Sequence, residues 1–436
     1  MFSDLLWTSI ILIFLILGLG RPYIALSGVV FVDILKPQDL SFSFLADKPV
    51  SFAMTAFLLL SILLNIKQIK KPTKLSPIIL IILFMIWVTI TTYKSEFPIY
   101  SWYKHDYVIK TILFSLFIPF IIDTRVKFDT FIAILICSIS FYTIALGMKS
   151  AVGGGGYGQV LIQTRSTNAG MSESSTMSMV AVLNISFIVY VAKYSVFHER
   201  VKFLNVTSKL LIFASLMSIL GTFARTGLVG LFTWLGLQLQ RSKHKSRFLL
   251  LIIITIVIAL PFVPSTWLER MASITNPTEE SSAYGRIVVW KWTLDYAAEN
   301  PILGGGFNAF LANAGQLDKY IDEDMYVGAT KSGKATHNIF MQVLSEHGYV
   351  GLLIFLLIIL HAYLITRKLQ KSQNTENWIK YASIAIKDSL IIYCVCGMFI
   401  DIGYYPWLYY FTSLSVCLHH IDHSNQSNEI SQYQHS

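Results

Sequence analysis

Charged residues are scarce in this sequence. Only 14% of its 436 residues are Asp, Glu, Lys or Arg, whereas 54% are hydrophobic. Soluble domains carry about 25% charged residues, so the composition excludes an ordinary soluble protein. Cysteine is rare as well. All four cysteines lie in apolar runs, where we interpret them as packing residues rather than disulfide partners or metal ligands: Cys137, Cys394, Cys396 and Cys417.

Long apolar runs occupy most of the chain, and each is roughly long enough to cross a hydrocarbon core about 30 Å thick. A shorter run at 24–35 is re-entrant, interfacial or a short span. We therefore predict an all-α, polytopic membrane bundle of about 12 transmembrane helices, or 13 if the short run crosses. The twelve long runs are 5–20, 50–66, 76–93, 108–122, 130–147, 174–192, 209–223, 226–240, 247–263, 349–366, 379–400 and 404–420.

Lysine and arginine cluster in short loops between these runs, at 67–74, 193–209, 241–247 and 367–371. Loops rich in Lys and Arg face the cytoplasm, so this pattern predicts the topology. It also accounts for the net charge of +9 without a nucleic-acid partner. If 24–35 does not cross the membrane, both termini are cytoplasmic; if it crosses, the N-terminus lies outside.

One long segment, 264–348, falls on the external side, and a loop of that length usually carries function. We predict an N-terminal transmembrane bundle at 1–263, this large periplasmic loop with the catalytic residues, C-terminal transmembrane helices at 349–420, and a cytoplasmic polar tail at 421–436. Within the loop, residues 281–299 read as an amphipathic helix at the membrane interface. Its apolar face is predicted to hold Ile287, Trp290, Leu294 and Ala298.

Three external cationic or ionisable residues are not explained by topology. Arg225 lies where two apolar runs meet, and it is either an interface anchor or an anion contact. Arg286 near the start of the amphipathic helix either pairs with Glu279 and Glu280 or binds an anion. His337 precedes a long apolar run, where it is either structural or a general base, since a neutral imidazole accepts protons near neutral pH.

Weaker candidates surround these three. Lys331, Lys334 and Glu173 are possible substrate contacts on the external side. The pair Glu346–His347, followed by Gly348, is interpreted as shaping the turn into the next span. The sequence shows no metal-ligand spacing and no nucleotide motif, so we expect neither a metal nor a cofactor.

Five stretches of the chain follow one another in a recognisable order, and these are LLWTSIILIFLILGLGRPYIALSGVVFVDILKPQDLSF, YSWYKHDYVIKTILF, TFARTGLVGL, SAYGRIVVWKWTLDYAAENPILGGGFNAF and ATHNIFMQVLSEHGYVGLLIF. Together they resemble the O-antigen ligase and polymerase superfamily of bacterial membrane glycosyltransferases. More closely, the chain looks like the O-glycosylation ligases associated with exosortase systems. At MSESSTMSM it departs from these relatives, which carry an acidic, asparagine-rich stretch there.

The resemblance implies a metal-independent, inverting glycosyltransferase in the bacterial inner membrane, with its active site facing the periplasm. Its donor would be a glycan on a polyprenyl (undecaprenyl) diphosphate, and its acceptor a glycan, lipid or protein. The family's base matches His337, and its two diphosphate-binding arginines match Arg225 and Arg286. A polymerase of the same superfamily and a protein O-oligosaccharyltransferase remain alternatives, and a lipid-linked glycan transporter is the least favoured.

Overall fold

A computed structural model describes residues 2–153, 171, 173–259, 281–321 and 333–435 of the chain. The regular structure of these residues is helical, as predicted. The α-helices are α1 Phe2–Gly18, α2 Pro22–Leu35, α3 Val50–Leu64, α4 Ser76–Tyr93, α5 Pro98–Ile121, α6 Arg125–Gly153, α7 Ser174–Tyr194, α8 Leu204–Gly221, α9 Arg225–Arg241, α10 Lys245–Ala259, α11 Ser281–Glu299, α12 Ile339–Lys371, α13 Asn377–Gly397 and α14 Pro406–His435.

Each predicted apolar run coincides with one of these helices, because a segment with no water around it must satisfy its backbone internally. Among the described residues, five helices are long and apolar enough to cross a membrane, namely α4, α6, α7, α8 and α12. Three shorter helices, α1 to α3, are also apolar. The number of helices that cross a membrane and the predicted domain boundaries stay predictions.

The short run at 24–35 forms α2, which connects the two ends of the helical bundle. At one end, Ser61 and Asn65 donate hydrogen bonds to the carbonyls of Gly18 and Leu19, at 2.6 and 2.7 Å. The basic loop at 67–74 follows directly, so we call this the basic end. At the other end, Phe42 N–H donates to the Asp4 carboxylate at 3.2 Å. The first turn of α1 therefore lies at the same end of the bundle as the 36–49 loop, opposite the basic end. This arrangement is expected if 24–35 crosses the membrane.

Helix α7 is the centre of the bundle and packs against α6, α8, α9 and α13. Most of its side chains are buried, and small residues let neighbouring helices approach closely. A Cβ added at Gly227 of α9 would lie 2.5 Å from the Ser178 side chain of α7. The buried Asn184 side chain of α7 donates to Ser140 of α6 at 3.0 Å. This packing fixes the N-terminus of α9, where Arg225 lies.

Helix α12 is interrupted at Gly348, which has φ 65° and ψ −171°. The carbonyl of Pro301 accepts a hydrogen bond from Tyr349 N–H at 2.8 Å on one side of this break. On the other side, Gly305 and Gly306 N–H donate to the carbonyls of Ser345 and Glu346 at 2.9 and 2.8 Å. The glycine-rich turn 301–306 is thus bonded to the break and fixes the first part of α12.

We predict that the two chain ends lie on opposite sides of the membrane. Phe2→Cys and His423→Cys are placed separately in a protein whose native cysteines are changed to alanine. Both side chains are exposed, and they lie at opposite ends of the bundle. A membrane-impermeant maleimide applied to intact spheroplasts should label the first variant, while the second should react only after lysis. Labelling of neither variant, or of the second alone, in intact spheroplasts would contradict the topology.

A second prediction concerns the break in α12. Gly348→Ala should lower the free energy of unfolding by about 1–3 kcal/mol, because alanine is strained at positive φ. In addition, its Cβ would lie 2.3 Å from the Ile302 carbonyl oxygen. Gly236→Ala in α9 is the matched control, since a Cβ there meets no atom within 4 Å among the described residues. Thermal unfolding in detergent should show a lower Tm for Gly348→Ala only; an equal Tm for both variants would refute this role of Gly348.

Candidate functional site

The segment Thr336–Asn338 enters α12 through an N-terminal cap. The Asn338 side-chain oxygen accepts hydrogen bonds from Phe340 and Met341 N–H at 2.9 and 3.3 Å, so Asn338 is the N-cap. His337 directly precedes the cap, at φ 46°, in the left-handed region that non-glycine residues seldom adopt. Its side chain is 51% exposed. A strained, exposed histidine beside buried neighbours is a feature of functional sites.

Asp401, in the loop between α13 and α14, holds this segment. Its Oδ1 accepts hydrogen bonds from Thr336 Oγ1 at 2.6 Å and from Asn338 N–H at 3.2 Å. Its Oδ2 lies 3.6 Å from His337 Nδ1, beyond hydrogen-bond distance but within range for an ion pair when the ring is charged. One carboxylate therefore holds the Thr336 hydroxyl and the Asn338 backbone on either side of His337 and faces the imidazole itself.

Arg286 lies in the second turn of α11, the helix predicted at 281–299. Four residues later, Trp290 Nε1–H donates to the Thr336 carbonyl at 2.7 Å, which ties α11 to the residue before His337. The predicted apolar face is the outward one, since Ile287 and Leu294 are exposed. The opposite face, with Tyr284, Val288, Val289 and Trp292, is buried against the rest of the loop. Glu279 and Glu280 lie outside the described residues.

Arg225 is the first residue of α9, and it reaches the same end of the bundle through α13. The next residue, Thr226, accepts a weak hydrogen bond from Cys396 Sγ at 3.5 Å. The neighbouring Gly397 ends α13, and a Cβ there would lie 2.5 Å from the Ile339 side chain. Because Ile339 begins α12, Arg225 is linked to the segment of His337 through α13, whereas Arg286 is linked to it through Trp290.

The three weaker candidates have different surroundings. Glu173 caps α7, since its carboxylate accepts from Ser175 N–H at 3.0 Å and from Thr176 N–H at 2.7 Å. Lys334 is fixed through its backbone, which exchanges two hydrogen bonds with the Asn313 side chain at 2.8 and 2.9 Å. Lys331 lies outside the described residues. Substrate contacts for all three stay predictions.

A cavity of 480 Å³ opens between α5, the start of α12 and the 401–405 loop. Thr336 and Asp401 belong to its wall, so the cavity lies beside His337. Lys104 of α5 and Glu346 of α12 form a 2.8 Å ion pair in the same wall. The Glu346 side chain is 2% exposed, and its Oε1 also accepts from Asn308 N–H at 2.9 Å.

Aromatic rings surround the Lys104 ammonium, which lies 5.0 Å from the Tyr404 ring centre and 5.6 Å from that of Phe307. Tyr404 and Tyr405 both line the cavity, so its wall near Lys104 is largely aromatic.

Lys104, Asp401 and Glu346 were not among the candidates chosen from the sequence, and Glu346 was interpreted only as part of a turn. One signal was present, because Lys104, His105 and Asp106 lie where an apolar run begins, and ionisable residues near a membrane usually have a function. Glu346 does adjoin the turn into the next helical segment, as predicted. It also lines the cavity, a position that only the fold reveals.

The chain is a multi-pass helical membrane protein, as its apolar helices define. Residues 210–356, which include Arg225, Arg286 and His337, match the family described as O-Antigen ligase. Residues 2–196 match a family of unknown function. The first match supports the superfamily resemblance predicted from the sequence. The closer likeness to exosortase-associated ligases stays a prediction.

A curated relative is the exopolysaccharide production protein ExoQ of Rhizobium meliloti (strain 1021), which is 24% identical over 105 residues. The match covers 24% of this chain and 24% of that protein, so the two share about a quarter of their length. A match over a quarter of each protein does not establish the activity, substrates or partners of this chain.

Proposed function

We propose that the protein is a membrane glycosyltransferase that moves a glycan from a polyprenyl (undecaprenyl) diphosphate to an acceptor hydroxyl. The observation that carries this proposal is His337, which lies within the stretch that matches the O-Antigen ligase family and faces Asp401, a residue of the cavity wall. The donor already carries its leaving group, so the reaction requires no nucleotide. The partners are thus the lipid-linked donor, an acceptor glycan, lipid or protein, and the surrounding membrane lipid.

His337 acts as the general base in this proposal. With Nδ1 facing Asp401, Nε2 is the nitrogen that takes the proton of the acceptor hydroxyl. The acceptor oxygen forms the new bond to the anomeric carbon while the bond from that carbon to the diphosphate oxygen breaks. The leaving diphosphate keeps the bonding electrons. A single displacement of this kind inverts the anomeric configuration.

Arg225 and Arg286 stabilise the departing diphosphate. Guanidinium groups form bidentate hydrogen bonds with phosphate oxygens and stay charged at any physiological pH. The charge they meet grows as the glycosidic bond breaks, so they favour the transition state over the bound donor. Two such groups do the work for which many glycosyltransferases use a divalent cation, which is why we propose a metal-independent reaction.

The proposed site lies at the end of the bundle opposite the basic loops. Those loops face the cytoplasm under the positive-inside preference, which puts His337 on the periplasmic side of a bacterial inner membrane. The outward apolar face of α11, with Ile287 and Leu294, then meets the membrane surface. A polyprenyl chain anchored in that membrane would present its diphosphate at the depth of α11.

Two alternatives share this donor chemistry. A polymerase would add repeat units to a glycan still on its lipid carrier, and the name of the relative ExoQ, an exopolysaccharide production protein, keeps this possibility open. A protein O-oligosaccharyltransferase would use a protein hydroxyl. Product analysis of a deletion strain separates them, since shorter polysaccharide indicates a polymerase and a bare lipid or bare protein indicates a ligase.

A transporter of lipid-linked glycan is a further alternative, but it is the least favoured. Transporters commonly have repeated halves and broken helices near the middle of the membrane. In α12 the break at Gly348 lies near the helix start, beside the proposed site. Transfer of sugar from a synthetic lipid-diphosphate donor by the purified protein separates the enzyme from a transporter.

His337→Ala should insert and fold normally but lower the rate of glycan transfer by about 10²–10⁴-fold, the usual contribution of a general base.

Arg286→Ala should raise the activation free energy of transfer by about 2–4 kcal/mol, because one group that stabilises the transition state is lost. Lys291→Ala is the control for the arginine, because Lys291 is exposed on the same helix one turn or so later. Initial rates with purified proteins and one synthetic donor provide the measurement. Wild-type rates from His337→Ala would disprove the base assignment.

Glycan transfer should continue at the same rate in excess EDTA, since we assign charge stabilisation to two arginines. The purified enzyme is dialysed against chelator, and its initial rate is compared with that after addition of Mg²⁺ or Mn²⁺. A rate that falls with chelator and returns with either ion would show that the reaction needs a metal.

A further inference from the structure

The cavity beside His337 combines aromatic and polar side chains in its wall. Four tyrosines contribute to it, namely Tyr103, Tyr107, Tyr404 and Tyr405. Its volume of 480 Å³ lies within the range of small-molecule pockets. A pyranose ring offers hydroxyls to polar groups and C–H faces to aromatic rings, so this composition suits a saccharide.

The ion pair Lys104–Glu346 is the buried, polar part of the wall. A buried ion pair costs desolvation energy unless further hydrogen bonds satisfy its remaining atoms. Glu346 Oε1 has two donors, Lys104 and Asn308. Its Oε2 and the Tyr404 hydroxyl are both buried, and they lie near each other. The Lys104 side chain is 22% exposed, and its ammonium has three N–H donors, so it can also donate to a ligand hydroxyl in the cavity.

The charge of the wall selects among saccharides. The described lining residues carry one positive side chain, Lys104, against three carboxylates, Asp106, Glu346 and Asp401. An anionic group such as a diphosphate or a uronic acid would therefore be repelled, whereas a neutral or amino sugar would not. The described lining residues include neither Arg225 nor Arg286.

We propose that this cavity binds the acceptor as a neutral or amino saccharide and turns one of its hydroxyls toward His337. Thr336 and Asp401 support this orientation, since both line the cavity and both belong to the hydrogen-bonded group around His337. The inference rests on the proposed function and specifies its acceptor. The donor sugar then lies on the arginine side of His337, and the acceptor lies on the Asp401 side.

The first test measures binding directly. Saturation-transfer NMR on the full-length protein in nanodiscs uses three probes of one shape: methyl glucoside, methyl glucosaminide and methyl glucuronide. The neutral and amino probes should bind, and the glucuronide should bind about tenfold more weakly. Equal binding of all three probes, or binding of none, would overturn the inference. Binding of the glucoside by a wild-type protein that transfers no glycan would contradict the proposed function while leaving the saccharide site intact.

The second test uses Asp106→Asn, which removes one wall carboxylate with little effect on folding, because the Asp106 side chain is 65% exposed. This change should bring glucuronide binding to within a few-fold of glucoside binding. Lys110→Gln is the matched control: it breaks the same 2.6 Å Asp106–Lys110 ion pair from the other side and is not among the described lining residues. Unchanged discrimination in Asp106→Asn, or the same change in Lys110→Gln, would overturn the inference.

The third test separates acceptor from donor. The double variant Lys104→Met/Glu346→Gln removes both charges of the pair, so neither member is left buried without its partner. It should raise the acceptor KM about tenfold in glycan transfer and leave the donor KM unchanged. A raised donor KM with an unchanged acceptor KM would assign the cavity to the donor sugar and overturn the inference. If this variant does not fold, the comparison of glucuronide and glucoside binding by Asp106→Asn still tests the inference.

Discussion

Asp401 makes three contacts with one short segment, and the arrangement of the site depends on them. Its carboxylate accepts from Thr336 and Asn338 and faces the imidazole of His337. These contacts hold His337 at positive φ, a backbone conformation that costs energy unless its surroundings enforce it. The same carboxylate lines the cavity, so a single group links the strained backbone, the proposed base and the proposed acceptor site.

The break at Gly348 has a comparable effect on the other wall of the cavity. The turn 301–306 bonds to both sides of this break and thereby directs Glu346 toward Lys104 of α5. Trp290 ties α11 to Thr336, so the long loop is attached to α12 at two places. The loop residues that the sequence marks as functional are thus positioned by helices whose own packing is fixed in the bundle.

Much of this architecture could be predicted from the sequence, because apolar runs of membrane length and the caps of helices are local features. The helix at 281–299 followed from such a pattern, and the structure confirms it as Ser281–Glu299. The resemblance to the superfamily singled out His337, Arg225 and Arg286, whose roles stay predictions.

The cavity could not be predicted, because its partners are distant in the sequence. Lys104 and Glu346 are 242 residues apart, and Asp401 and Thr336 are 65 apart. Local periodicity in the sequence does not indicate which distant residues form pairs. The residues around Glu346 also do not distinguish a position in a cavity wall from a position in a turn. The polar groups of the wall become a site only when α5, α12 and the 401–405 loop meet.

The stereochemistry of transfer tests the central claim most directly. The purified protein is given a synthetic polyprenyl diphosphate sugar of defined anomeric configuration and a saccharide acceptor, and the product is examined by NMR. A single displacement with His337 as base predicts a new glycosidic bond of inverted configuration and one free polyprenyl diphosphate for each bond formed. A product that retains the donor configuration would contradict this account.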